Sequence, residues 1–130
     1  MILSLSTLPS FSDSNNNGVI ATLDQERLFR SSLFGQRVFK EVNDESDILL
    51  AQELLLQSQL ETEESLLTAE RKKIDTEKFK KLATAFDKKV QKIRAETTEN
   101  RIKLGEYSEN EQNRFFKIII PVLIQLSDEF

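Results

Sequence analysis

The sequence predicts a mainly α-helical protein built on one long antiparallel helical hairpin, with a short β-strand in front of it. Residues Gln36 to Ile74 contain neither Gly nor Pro, which favours a long unbroken helix. Apolar residues recur at steps of three and four on both sides of residue 75, the spacing of a coiled-coil seam. The segment IDTEKF, residues 74–79, is the only plausible turn between the two stretches.

The first arm of the hairpin is predicted as a helix over residues 36–74, roughly 55 Å long at 1.5 Å per residue. Its apolar seam comprises Val38, Val42, Leu49, Leu56, Leu60, Leu67 and Ile74. Four glutamates, Glu45, Glu53, Glu63 and Glu70, interrupt the seam. A scaffold rod should have a regular heptad, so Glu63 and Glu70, together with Thr97 and Asn100 on the second arm, favour flexible arms over a rigid rod.

The second arm is predicted as a helix over residues 76–127. Asp75 or Thr76 can cap its start, and Glu77 then lies in the first turn, where the helix dipole favours an acid. Its apolar stripe comprises Phe79, Leu82, Phe86, Val90, Ile93, Leu104, Tyr107, Phe115, Ile118 and Val122, with Thr97, Asn100 and Glu111 at polar gaps. Gly105 lowers helix propensity locally, and Pro121 is expected to kink the helix.

The segment in front of the hairpin divides into a leader, residues 1–18, and the start of a domain that covers residues 19–130. The leader opens with MILSLSTLPSFS, which is similar to the apolar region and cleavage site of a secretory signal peptide but lacks a basic n-region. A disordered tail is the alternative. Residues 19–23, VIATL, are predicted as a strand, and residues 25–34 as a short helix capped by Asp24. Gly35 marks a break or a close contact.

Composition argues against an enzyme. The chain has no Cys and no His, which excludes thiol nucleophiles, imidazole bases and nearly all zinc sites. It has no glycine-rich phosphate loop, so we expect no cofactor. The adjacent carboxylates Glu63 and Glu64 lie on an open helix and are interpreted as surface. A net charge of -4 gives no general footprint for nucleic acid, and no segment is long enough to cross a membrane.

The C-terminal helix is apolar nearly all round from Phe115 to Leu126, FFKIIIPVLIQL. Such a pattern implies burial on more than one side. One strand and one helix cannot cover that surface in a monomer, so we expect oligomerisation at this base. The residues predicted to form it are Val19, Ile20, Leu23, Leu28, Phe29, Phe115, Phe116, Ile119 and Leu123.

Charge is segregated along the chain. Nine acidic residues and no basic one lie from Glu41 to Glu70, whereas ten Lys or Arg and three acids lie from Arg71 to Arg94, a balance of +7. In a folded hairpin this basic block occupies the tip, where it is accessible to an anionic partner; a solvated surface is the alternative. The candidate tip residues are Arg71, Lys72, Lys73, Lys78, Lys80, Lys81, Lys88 and Lys89.

The order of these parts resembles the OmpH/Skp family of periplasmic chaperones, in its alphaproteobacterial form. The resemblance rests on VIATLDQERLF and SLFGQRV near the start, FKKLATAFDKKVQKIR after the tip, and RFFKIIIPVLIQL near the end. It implies a homotrimer in which strands of three chains form a small β-body and three helical tentacles enclose a cavity. It also implies ATP-independent binding of unfolded outer-membrane proteins in the periplasm, with an anionic membrane surface as a possible second partner.

Two features depart from the family. The resemblance implies a further strand segment after the base helix, and the chain ends at Phe130 where that segment would begin, so we expect it to be truncated. Well-known members are basic overall and this chain is acidic, so the attraction of acidic clients would depend on the tip. The alternative functions are a passive coiled-coil scaffold or stalk without a client, and a prefoldin-like chaperone. The latter needs hairpin strands between its helices, for which IDTEKF is too short.

Overall fold

The computed structural model describes residues 25–129, and this part of the chain is mainly α-helical with no β-strand. Three helices follow one another: α1 over residues 25–31, α2 over Leu33–Glu70 and α3 over Thr76–Asp128. The predicted leader, the strand at residues 19–23 and the cap at Asp24 lie outside the described residues. The long helices match the prediction of a helical hairpin, with boundaries of 33–70 and 76–128 in place of 36–74 and 76–127.

α1 ends at residue 31, three residues before the end predicted for the short helix, and Ser32 separates it from α2. Ser32 is the N-cap of α2, with its hydroxyl accepting a hydrogen bond from the Gly35 amide at 2.9 Å and donating one to the Phe29 carbonyl at 2.7 Å. A Cβ atom on Gly35 would lie 1.9 Å from that carbonyl oxygen. Gly35 is therefore a close contact between α1 and α2 rather than the break itself.

Helices α2 and α3 pack side by side in antiparallel orientation, joined by the turn at residues 71–75. The seam predicted for α2 is the face that packs. Val38 is 2% exposed, and the other six apolar seam positions are half-buried. Glu53, Glu63 and Glu70 are half-buried with them, while Glu45 is exposed.

The seam of α3 differs from the predicted stripe at several positions. Phe79, Phe86, Val90, Ile93, Leu104 and Phe115 face α2 as expected. Leu82, Tyr107, Ile118 and Val122 are 37–59% exposed. The seam passes instead through Ala83, Ser108 and Ile119, which are half-buried. Small side chains at the first two positions suit a two-helix contact because they let the helix axes approach closely.

The turn at the tip follows directly from the end of α2. The amide of Arg71 donates to the Leu67 carbonyl at 3.2 Å, and the amide of Lys73 donates to the Glu70 carbonyl at 2.9 Å. Asp75 is the N-cap of α3 through its extended backbone, while its side chain makes no capping hydrogen bond. Glu77 lies in the first turn of α3, as predicted.

The opposite end of the hairpin, the base, is held by an aromatic cluster. α3 has 53 residues and α2 has 38, so α3 extends well past the start of α2. There α1 covers one side of it. The ring of Phe115, which is 7% exposed, lies 5.2 Å from Phe29, 5.6 Å from Phe34 and 5.4 Å from Phe116. α3 continues without interruption through Pro121.

Candidate functional site

The tip of the hairpin brings together the eight predicted cations. Arg71, Lys72 and Lys73 lie in the turn, and the other five lie on the first four turns of α3. All eight are exposed. The guanidinium of Arg71 lies 5.7 Å from the centre of the Phe79 ring, within reach of a cation–π contact that ties the end of α2 to the start of α3.

Most tip cations have no carboxylate partner within the described part of the chain. Lys73 pairs with Glu70 at 3.7 Å, and Lys89 pairs with Glu63 across the hairpin. The remaining six, Arg71, Lys72, Lys78, Lys80, Lys81 and Lys88, form no ion pair among residues 25–129. Six unneutralised charges at one end of a thin rod produce a positive potential that an anionic partner meets first.

Helix dipoles act in opposite directions at this end. The turn cations lie beyond the C-terminus of α2, where the dipole favours positive charge. Lys78 lies in the first turn of α3, where the positive end of the dipole disfavours it, and Lys80 and Lys81 follow in the second turn, where the effect is smaller. The helix dipole therefore gives no reason for these three lysines, whereas Lys89 on the same helix pairs with Glu63.

The polar interruptions of the seam are bridged across the hairpin. Glu53 accepts a hydrogen bond from the Arg101 Nε at 2.8 Å and forms an ion pair with its guanidinium. Glu63 pairs with Lys89, and Glu111 pairs with Arg37 at 3.1 Å. Three carboxylates of the seam, Glu53, Glu63 and Glu111, thus each meet a cation on the other helix, whereas Glu70 pairs with Lys73 in the turn. Glu45 is exposed and forms no ion pair among residues 25–129. The three pairs between the helices fix the register of the two arms.

A fourth bridge joins the arms between the Glu53–Arg101 and Arg37–Glu111 pairs. The hydroxyl of Tyr107 donates to the Glu41 carboxylate, which also accepts from Arg37 at 3.0 Å. The hydrogen bond from Tyr107 lowers the pKa of Glu41 below its ordinary value, and the bond from Arg37 adds to the effect. The same hydrogen bond to Glu41 raises the pKa of Tyr107.

An open groove of about 840 Å³ runs between the arms midway along the hairpin. Its apolar lining includes Leu56, Leu60 and Phe86. Leu82, on the second arm, is 49% exposed and does not line the groove. The groove is shallow and open to solvent, so it offers contact area without enclosure.

The residues predicted for the base are only partly brought together. Phe29, Phe115 and Phe116 form the aromatic cluster, joined by Phe34, which the sequence analysis did not include. Leu28 and Ile119 are half-buried, and Leu123 is 38% exposed. Val19, Ile20 and Leu23 lie outside the described residues. Beyond Phe116, Ile118, Ile120, Val122, Ile124 and Leu126 are 39–59% exposed.

Within residues 25–129 no helix has an apolar stretch long enough to cross a bilayer. The same residues contain no group of three or more acidic side chains placed to hold a metal ion. Compared with known proteins, the chain matches no family model, no curated protein and no solved structure.

Proposed function

We propose that this protein is an ATP-independent holdase chaperone of the periplasm, which binds unfolded outer-membrane proteins and keeps them from aggregating. The proposal combines the resemblance to the OmpH/Skp family with one observation, the six exposed cations at the hairpin tip that lack carboxylate partners. A patch of this kind steers an acidic, unfolded client toward the arms. An anionic membrane surface would be attracted in the same way.

The arms supply the surface on which a captured client would be held. Large apolar side chains are exposed along both arms, among them Leu54, Leu55, Leu66, Leu82 and Ile102 at 49–64%. Scattered apolar contacts of this sort favour weak, multiple binding over a single tight pocket. Weak binding suits a holdase, because the client must leave without an energy source.

Assembly at the base would place several hairpins around one client. The exposed apolar residues of α3 beyond Phe116 support this part of the proposal, because a monomer leaves them in water. Three copies joined there through the aromatic cluster and residues 19–23 would form the homotrimer that the resemblance implies.

A passive coiled-coil scaffold is the second candidate, and the cross-hairpin bridges favour it. Flexible arms were expected because polar residues, Glu63 among them, interrupt the seam. Glu53 and Glu63 are paired with Arg101 and Lys89, so the seam is less interrupted than its sequence indicates. A hairpin bridged in this way along its length would suit a stalk.

The experiment that separates the two candidates neutralises the tip. We expect replacement of Lys72, Lys78, Lys80 and Lys81 with Gln to slow the capture of a urea-unfolded, acidic outer-membrane protein. At low salt the association rate should fall by about tenfold or more, because electrostatic steering accelerates association by 10–1000-fold. The difference should shrink at high salt, where the Debye length falls to about 3 Å at 1 M. Stopped-flow fluorescence of the labelled client measures the rate.

The matched control replaces the same four lysines with Arg, which keeps the charge and should keep the rate. Aggregation of the diluted client is followed by light scattering in parallel. If the Gln variant captures client at the unmodified rate at low salt, the tip is a solvated surface only. If the unmodified protein in threefold molar excess leaves aggregation unchanged, the chaperone proposal fails and the scaffold replaces it.

A further inference from the structure

One side of α2, about 100° around the helix from the seam that packs on α3, carries a stripe of residues without charge. Its members recur at steps of four and three, a heptad spacing. They are Ile48, Gln52, Leu55, Gln59, Thr62, Leu66 and Ala69, called here the neutral stripe. Within it Ile48, Leu55 and Leu66 are 50%, 60% and 64% exposed.

The surroundings of the neutral stripe are those of a helix-packing surface. Small residues, Ala51, Ser58 and Ser65, flank it at intervals of seven and allow close approach of another helix. Although α2 is strongly acidic, every acid between Ile48 and Ala69 lies off the stripe at 100° per residue. A heptad whose core positions and one flank are uncharged is typical of a helix that packs on another helix.

We propose that the neutral stripe pairs in antiparallel orientation with the neutral stripe of a second copy of this chain. Charge complementarity selects both the partner and the direction. Asp44 and Asp47 lie just before the stripe, and Lys72 and Lys73 lie just after it. A two-fold axis near Gln59 places the lysines of each copy beside the aspartates of the other, at both ends of the contact.

The alternative directions and partners fit less well. A parallel pair would set aspartates against aspartates and lysines against lysines, which is unfavourable. Asp47 and Lys72 have no ion-pair partner among residues 25–129, so both charges are available to a second copy. The pairing involves the middle of α2, so it is independent of the base and goes beyond the proposed chaperone function.

The contact is small, and its strength follows from its size. The stripe covers about 22 residues, or roughly 33 Å of helix. One helix–helix contact of this length lies at the low end of specific interfaces, where association is weak. Measurements therefore need chain concentrations of about 10 to 500 µM.

Single cysteines provide a test, because the chain has no Cys of its own. We expect Gln59→Cys, near the two-fold axis, to form cross-linked dimers with a bis-maleimide whose spacer is about 10 Å, roughly two helical turns. The yield should rise with concentration. Gln57→Cys is the matched control, since the same residue type two positions away faces the other side of α2 and should remain monomeric.

Cysteines placed at the two ends of the neutral stripe test the direction of pairing. Ile48→Cys and Ala69→Cys should each fail to cross-link alone, because like residues lie about 30 Å apart in an antiparallel pair. A mixture of the two variants should cross-link. Phe116→Asp, which disrupts the base, should leave cross-linking through Gln59→Cys unchanged, and this separates the pairing from assembly at the base.

A pair of adjacent leucines tests the surface itself. Leu55 and Leu54 are 60% and 59% exposed, and only Leu55 lies on the neutral stripe. Leu55→Glu should lower cross-linking through Gln59→Cys by about tenfold or more, whereas Leu54→Glu should leave it within about twofold.

Four outcomes overturn the proposal: no cross-linking at about 500 µM, equal yields at positions 57 and 59, cross-linking of Ile48→Cys with itself, or equal effects of the two glutamates. The proposal is also overturned if the unmodified protein does not self-associate and the Leu55→Glu variant captures less client. The neutral stripe would then be a surface that binds client.

Discussion

The two helical glycines of the hairpin are expected to respond to alanine with opposite signs. Alanine is favoured over glycine inside a helix by about 1 kcal/mol, so propensity alone predicts that both substitutions stabilise the protein. Gly105 has no atom within 4 Å of the added Cβ, and Gly105→Ala should raise the free energy of unfolding by about 0.5–1 kcal/mol. Gly35 differs because its Cβ would lie 1.9 Å from the Phe29 carbonyl oxygen, which is backbone.

The loss of stability caused by Gly35→Ala follows from the contacts of α1 that the substitution would weaken. To reach an ordinary contact of 3.4 Å, the Phe29 carbonyl has to move by about 1.5 Å. That movement weakens the Ser32 cap, worth about 1 kcal/mol, and two ring contacts of Phe29, worth about 0.5–1.5 kcal/mol each. After subtracting the gain in helix propensity, Gly35→Ala should lower stability by about 1–3 kcal/mol.

Urea unfolding followed by circular dichroism at 222 nm measures both variants at low micromolar concentration. The urea midpoint should rise for Gly105→Ala and fall for Gly35→Ala. If Gly35→Ala is neutral or stabilising, α1 does not approach α2 as described, and the corner at Ser32 is wrong.

Two other expectations concern the base and the arms. Phe115→Ala should lower the free energy of unfolding by about 3 kcal/mol, since it removes the centre of the aromatic cluster. Phe39→Ala, at a side chain that is 70% exposed, should change the free energy of unfolding by less than about 0.5 kcal/mol. Similar losses for the two variants in urea titrations would contradict the burial of Phe115. Tyr107→Phe removes the bond to Glu41. That bond contributes above the ordinary titration of a carboxylate, near pH 4, because the pKa of Glu41 is lowered, and below that of a phenol, near pH 10, because the pKa of Tyr107 is raised. The difference in melting temperature between the variant and the unmodified protein should therefore be largest between about pH 5 and 9 and shrink on either side; a difference that does not vary with pH would show that the bond does not form.

Hydrophobic spacing was sufficient to predict the seam of α2, because leucine and valine side chains at steps of three and four lie on the same face of a helix. The same reasoning selected Leu82 and Tyr107 on α3 and was wrong there. Ala83 and Ser108 occupy the seam instead, and small side chains carry little hydrophobic signal although they allow close packing.

The polar features required knowledge of the register. In the sequence, Glu53 and Glu63 are charged residues that interrupt an apolar seam. Their partners, Arg101 and Lys89, are identified only when the turn between α2 and α3 is known, because the turn sets which residues of the two helices lie opposite each other. The break at Ser32 had a weaker signal, because a serine is favoured at an N-cap but also occurs inside helices, where its hydroxyl bonds to a carbonyl of the preceding turn. For the tip, charge counting located the cations, and the structure added which of them lack partners.

The order of the cross-hairpin bridges has a consequence for how the protein folds. Their partners are separated by 26 residues for Glu63 and Lys89, 48 for Glu53 and Arg101, 66 for Glu41 and Tyr107, and 74 for Arg37 and Glu111. Closing the longest of these loops directly costs only about 0.9 kcal/mol more in chain entropy than closing the shortest. Once the bridge nearest the turn has formed, however, each later bridge closes only the residues between it and the previous one. Folding should therefore start at the basic tip and proceed toward the base, so the end that we expect to meet a client is the first to form its structure.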